Sequence, residues 1–259
     1  MTYWMRRLRV ALPWLAVAVL SAAAVMLTLL PAAWITPQFA RQTNGHVNLV
    51  DPSGSLWHGS ATLMLAAGAD MSAATLLPGR IEWHTAFWPL FIGRVRMTML
   101  QSEAMPDSIT VDATPRSATV TPGTIAVPAS LLSGLGAPFN TLDLQGDVRL
   151  SWSDWRSFNR EAFGQLNVTL NDVSSRVSVV KPLGSYRLMF QAEGASSTLN
   201  LTTLKGPLML SGNGTVSAAM TSFHGSASAA PEARDNLAGL LNLLGRPSGP
   251  DTVALAFVH

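Results

Sequence analysis

The sequence predicts a mainly β protein. One N-terminal transmembrane helix is followed by a curled, half-barrel-like antiparallel sheet with two short helices. Three observations lead there. Residues 10–33 form one uncharged, largely apolar run. After residue 50, apolar and polar residues alternate in segment after segment, the pattern of strands with one buried face. Gly, Ser and Ala crowd the strands of residues 184–229, and small residues in strands allow strong curvature and close packing.

Composition bounds the rest. With 48% hydrophobic and 12% charged residues, the chain is too apolar for a disordered protein. It has no cysteine, which excludes disulfides, zinc thiolate sites and thiol nucleophiles. The formal charge is +2, but three of the 17 basic residues are Arg6, Arg7 and Arg9, and the remaining 14 face 15 acidic ones. No Lys/Arg cluster follows residue 9, so the footprint of a nucleic-acid binder is missing and no nucleic-acid partner is expected.

Residues 1–9 are expected in the cytoplasm and residues 10–33 in the membrane. About 20 apolar residues in a helix cross a 30 Å hydrocarbon core. Trp34 stands at the far end, where an indole suits the interface, and Pro13 is tolerated in a first helical turn. A cleaved signal peptide would have an apolar core of about 7–15 residues before a small-residue cleavage site. Here Ala22, Ala23 and Ala24 lie in the middle of the run, so an uncleaved anchor is expected. The preceding arginines place the chain beyond Trp34 outside the cytoplasm. Residues 34–46 then form a juxtamembrane linker and residues 47–259 a β-rich periplasmic domain.

Within that domain the first strand sets Trp57, Gly59, Ala61, Leu63 and Leu65 on one face and His58, Ser60, Thr62 and Met64 on the other. Trp57 is expected inward and His58 outward, with Gly54 and Gly59 easing the chain into the strand. The next segments oppose Ile81, Trp83, Thr85 and Phe87 to Arg80, Glu82 and His84, then Val95, Met97 and Met99 to Arg94, Arg96 and Thr98. Ile109, Val111 and Ala113 follow against Ser108, Thr110 and Asp112. The segment "LDLQGDVRLSW" sets Leu142, Leu144, Val148, Leu150 and Trp152 against Asp143, Gln145, Asp147, Arg149 and Ser151. "QLNVTLN", "RVSVV", "YRLMF", "TLNLTTL", "PLMLSGNGTVSA" and "TVALAFV" complete an antiparallel meander. Proline and glycine crowd residues 115–138, a loose division between two lobes.

One short helix is predicted around Leu131, Leu132 and Leu135, stopped by Gly136 and Pro138. The other begins near Pro231 and Glu232, carries Leu237, Leu240, Leu241 and Leu244 at i, i+3, i+4, i+7, and ends at Gly245 and Pro247. Its apolar stripe is expected to close one end of the sheet.

No catalytic, metal or cofactor residue is assigned. His46, His58, His84, His224 and His259 lack metal-site spacing, and His58 and His84 read as solvated residues on polar strand faces. "SVVK" (Ser178 to Lys181) matches the serine–lysine string of penicillin-binding enzymes, but it reads as strand and its partner motifs are absent. "SGNGT" (Ser211 to Thr215) reads as a bulge or tight turn. No enzyme is expected.

Several strings in order carry a family resemblance: the arginine-flanked run with "LPAAW", "GSLWHGSATL", "VPASLLSGLGAPFNTLDLQGDVRLSW", "PLGSYRL", "TTLKGPLMLSGNG" and "LLNLLG". Together they resemble protein N of the bacterial type II secretion system. The resemblance implies a bitopic inner-membrane protein of a Gram-negative bacterium with its bulk in the periplasm. It would be a non-catalytic accessory subunit for export of folded proteins across the outer membrane, with other inner-membrane subunits and the lipid bilayer as partners. The architecture also resembles the AsmA-like group, which implies an alternative: a periplasmic lipid-binding or lipid-transfer protein with an acyl chain against the inner face of the sheet.

Overall fold

Gly54 starts the sheet. The computed structural model describes residues 21, 29–34, 36–67, 70–135, 139–159, 161–217, 220–249 and 251–258. In it β1 (Val47–Gly54) folds back onto β2 (His58–Ala67) through residues 55–57. Gly54 has φ +82°, and a Cβ there would strike the His58 carbonyl. Only glycine meets both demands cheaply. β2 then pairs with β3 (Asp70–Leu76) through its second half and β4 (Ile81–Ala86) through its first. β5 (Val95–Leu100), β6 (Ile109–Ala113) and β7 (Ser117–Val120) follow, each antiparallel to the one before.

The predicted faces hold at β2 and β4, but not at the start of β5, where Val95, expected inward with Met97 and Met99, is exposed. Trp57, Ala61, Trp83 and Thr85 are buried while His58, Glu82 and His84 are exposed. The alternation slips at an irregularity between Leu65 and Ala67, which turns Ala66 inward.

Most of the run 10–33 lies outside the described residues, and no described helix is long and apolar enough to cross a membrane. The end of the run packs onto the sheet. Pro31 bridges to Ser55, the Leu56 N–H donates to the Leu30 carbonyl at 2.9 Å, and Ala32 is buried against Ala61 and Trp83. Within residues 34–46, α1 (Thr36–Gln42) lies against β1.

β8 (Gly123–Pro128) continues the line of β7 and leads to a 3-10 helix, Ala129–Leu135, where a helix was expected. A one-turn helix α2 (Phe139–Leu142) follows, so Leu142 enters the core from a helix rather than from a strand. β9 (Leu144–Trp152) pairs with β8, and β10 (Trp155–Phe158) with β7. The 15-residue β11 (Glu161–Ser175) receives both. Then come β12 (Gly184–Gly194), β13 (Ser196–Lys205), β14 (Leu208–Ser217) and β15 (Thr221–Ala229). After α3 (Arg234–Leu244), β16 (Arg246–Pro247) and β17 (Thr252–Val258) finish the sheet, with β17 on β15. Among the described residues β1 pairs with no strand but β2, so the meander stays open.

Two further segments depart from their sequence reading. "RVSVV" is not a strand: β11 stops at Ser175, Val177 and Val179 are exposed, and the Ser178 hydroxyl bonds both the N–H and the carbonyl of Val180. That local turn outcompetes β-branched propensity, and Pro182 has no N–H to extend a ladder. "SGNGT" is a regular part of β14, paired on both sides without a bulge.

The sheet must curl. β9 and β17 lie six strands apart, roughly 29 Å in a flat sheet at about 4.8 Å per step. Yet Leu144 and Val253 belong to one buried cluster, centred on Leu237, Leu240 and Leu241 of α3. A second, smaller cluster holds Ala32, Ala61 and Trp83, so the two predicted lobes appear as two cores under one sheet. Leu237 is 0% exposed and Leu243 is 55% exposed. Leu237→Ala is therefore expected to lower stability by about 2–5 kcal/mol, and Leu243→Ala by less than about 0.5 kcal/mol. Urea midpoints of the two variants check the contrast.

Candidate functional site

Five neighbouring strands turn their alternate residues toward one another and leave a space between them. Leu144 and Val148 come from β9, Val168 and Leu170 from β11, Tyr186 and Leu188 from β12, Leu201 from β13, and Leu208 and Leu210 from β14. Register irregularities after Leu170 and Asn171 shift the parity of β11, so Val173 and not Asp172 enters. Gly146, with φ +130°, sits opposite, and a Cβ there would lie 2.7 Å from the Asn171 carbonyl oxygen. Leu240 and Leu244 of α3 close one end, with Leu132, Phe139 and Leu142 beside them.

The result is a cavity of about 360 Å³ lined only by aliphatic and aromatic side chains. That volume falls in the range of small-ligand sites, about 300–1,000 Å³, and apolar cavities stay dry and accept apolar guests. The Tyr186 hydroxyl donates to the Leu208 carbonyl at 3.1 Å, so it is not offered to a ligand. Beyond the cavity the inward face continues over half-buried Trp152, Leu166, Phe190, Leu199 and Phe223.

Polar chemistry is sparse. The register of β2 and β4 sets His58 directly opposite His84, with His58 Nε2 and His84 Nδ1 2.6 Å apart and ring centroids 4.2 Å apart. Each histidine was read alone from the sequence as a solvated residue. Their pairing depends on a register across 26 residues, which no local spacing signals. Two exposed imidazoles share one hydrogen bond here, and among the described residues no group of three or more His, Cys, Asp or Glu could hold a metal ion. His46 lies apart, 3.2 Å from the Ala66 carbonyl, and His224 faces outward on β15; His259 lies outside the described residues. Ser178 is occupied by Val180, in a loop rather than at a helix start. On the outer face Asp112 bonds Arg94 at 2.6 Å and Arg96 at 2.9 Å. The Arg94 hydrogen bond, supported by Arg96, holds the Asp112 carboxyl below its ordinary value.

Residues 45–256 match the family model described as type II secretion system, protein N. No curated protein and no solved structure matches the chain.

Tyr186 links the cavity wall to pH. Burial pushes its hydroxyl well above the ordinary value of 10.0. The unfolded chain therefore ionises first, and stability that is full below pH 10 falls as the pH rises past it. Tyr186→Phe removes both this titration and the bond to Leu208. It is expected to cost about 0.5–1.5 kcal/mol at pH 7, with the gap to the parent narrowing at pH 11. Urea titrations of both proteins at the two pH values check it.

Proposed function

The chain belongs to the protein N family of the type II secretion system, and from that premise we propose that it is a non-catalytic assembly subunit of the secretion apparatus. The uncharged run ahead of Leu30 anchors it in the inner membrane, and residues 47–259 stand in the periplasm and support export of folded proteins across the outer membrane. The observation that carries this reading is the family match over residues 45–256, which takes in almost the whole sheet. The charge pattern supports the orientation: Arg6, Arg7 and Arg9 precede the uncharged run, and cytoplasmic flanks carry the basic excess. The open sheet supports a scaffold role. β16 covers only Val253 and Ala254 of β17, so the remaining backbone of that edge suits strand addition by another inner-membrane subunit.

Deletion of the chain is expected to hold exoproteins in the periplasm while the outer membrane stays impermeable to large antibiotics, with secretion restored by the intact chain. Normal secretion in the deletion strain, or a leaky outer membrane with normal secretion, would overturn the assembly reading.

The wholly apolar cavity favours a second reading, in which the domain binds one acyl chain of a lipid. Native mass spectrometry of gently solubilised protein is then expected to show a phospholipid adduct. Leu201→Trp, which fills the cavity from β13, is expected to remove it. A bare protein mass would leave the assembly reading standing alone.

A further inference from the structure

Between β4 and β5 a 3-10 helix runs Trp88, Pro89, Leu90, Phe91, Ile92, five residues without one charged side chain. Connections between strands are normally polar, because they run over the wet surface. Here Trp88 is 80% exposed, Phe91 70% and Ile92 78%. Single exposed apolar residues need no explanation, but three within five residues form a patch, and such patches mark a contact.

The patch is built and not floppy. Pro89 sits in the first turn of the 3-10 helix, and the N–H groups of Gly93 and Arg94 close it by donating to Leu90 and Pro89, each at 3.0 Å. Phe87 lies edge-on to Phe91 at 5.3 Å and to Trp88 at 6.2 Å, and it meets buried Trp57 at 5.0 Å. The exposed rings are thereby fixed to buried Trp57 at the base of the turn.

Its position points to the occupant. The uncharged run 10–33 joins the sheet where the Leu56 N–H donates to the Leu30 carbonyl. The Leu56 carbonyl accepts from the Thr85 hydroxyl at 3.0 Å, and the Thr85 N–H donates to the Trp57 carbonyl at 2.7 Å. Thr85 is two residues before Phe87, so the apolar turn and the arriving run share one end of the sheet with no spacer between them. Leu29 and Trp34, on the same approach, are 69% and 70% exposed. Two guanidinium groups, Arg94 and Arg96, follow the turn and share the single carboxylate of Asp112. That leaves a positive surplus beside the aromatic tip. Exposed Trp and Phe with adjacent Arg match the zone of a bilayer where acyl chains meet anionic headgroups.

We propose that the turn Trp88–Ile92 inserts into the interfacial layer of the bilayer that the uncharged run ahead of Leu30 spans, fixing the orientation of the open sheet on an anionic membrane. The proposal rests on the anchor reading above, and its test separates the two.

Because the chain has no cysteine, one introduced thiol reports without background. The full chain with Ile92→Cys carries an environment-sensitive fluorophore and is reconstituted into phosphatidylethanolamine/phosphatidylglycerol vesicles. Val179→Cys is the control. Val179 is 85% exposed, in the loop after Ser175, whose hydroxyl bonds Leu142 beside the large core. Flotation with the vesicles, blue-shifted emission at position 92 and quenching there by lipid-borne nitroxide, with position 179 quenched only by aqueous iodide, is the expected result. Flotation with position 92 open to iodide and untouched by the nitroxide overturns the proposal while the anchor stands. Failure to float overturns both.

Discussion

Leu237 meets an apolar face gathered from strands that a flat sheet would hold roughly 29 Å apart at about 4.8 Å per step. A single antiparallel sheet has no second sheet to bury its inner side. It must curl onto itself and be plugged, or leave that side in water. Helix α3 supplies the plug with Leu237, Leu240 and Leu241, and the Ala129–Leu135 segment brings Ala129 and Leu132 from another side. The plug stops short of filling the curl, and the space it leaves is the apolar cavity under β9 to β14.

Curvature is built from glycine. Three cross-strand pairs set an aromatic ring directly on a glycine: Gly59 with Trp83, Gly123 with Trp152, and Gly214 with Phe223. A Cβ at Gly59 would lie 2.5 Å from the Trp83 ring and one at Gly123 2.6 Å from the Trp152 ring. The ring covers backbone that glycine leaves bare, and the glycine lets the ring lie flat. In the smaller lobe this cover has a cost: the buried Trp83 Nε1–H has no acceptor among the described residues, and an unpaired buried donor costs about 1–3 kcal/mol. The exposed Trp88–Ile92 turn hangs from this same lobe through Phe87 and Trp57.

These features make one functional picture. The family belongs to the type II secretion system, and the chain offers an open sheet, a backbone edge, an apolar interior and an apolar tip. None needs a reactive group, because docking by strand edges, acyl chains or interfacial rings rests on burial and backbone pairing. Charge serves position: the two arginines beside Asp112 stand next to the tip and not in a cleft.

The sequence by itself determined what is local. Side chains that repeat every second residue placed Trp57, Ala61 and Trp83 inside and His58 and His84 outside, and a 3.6-residue stripe placed Leu237, Leu240 and Leu241 on the buried side of α3. The order of its motifs was enough to resemble the right family. Only the tertiary structure decided what depends on distant partners. The strand expected at residues 176–180 became a loop, because the Ser178 turn and Pro182 ended the ladder. His58 and His84 became a pair through register. Whether the inner face would be filled or left hollow turned on the summed volumes of side chains from five strands and three helices, and no window of the sequence contains that sum. Alternation is a property of neighbours along the chain, whereas register, curl and cavity are properties of neighbours in space.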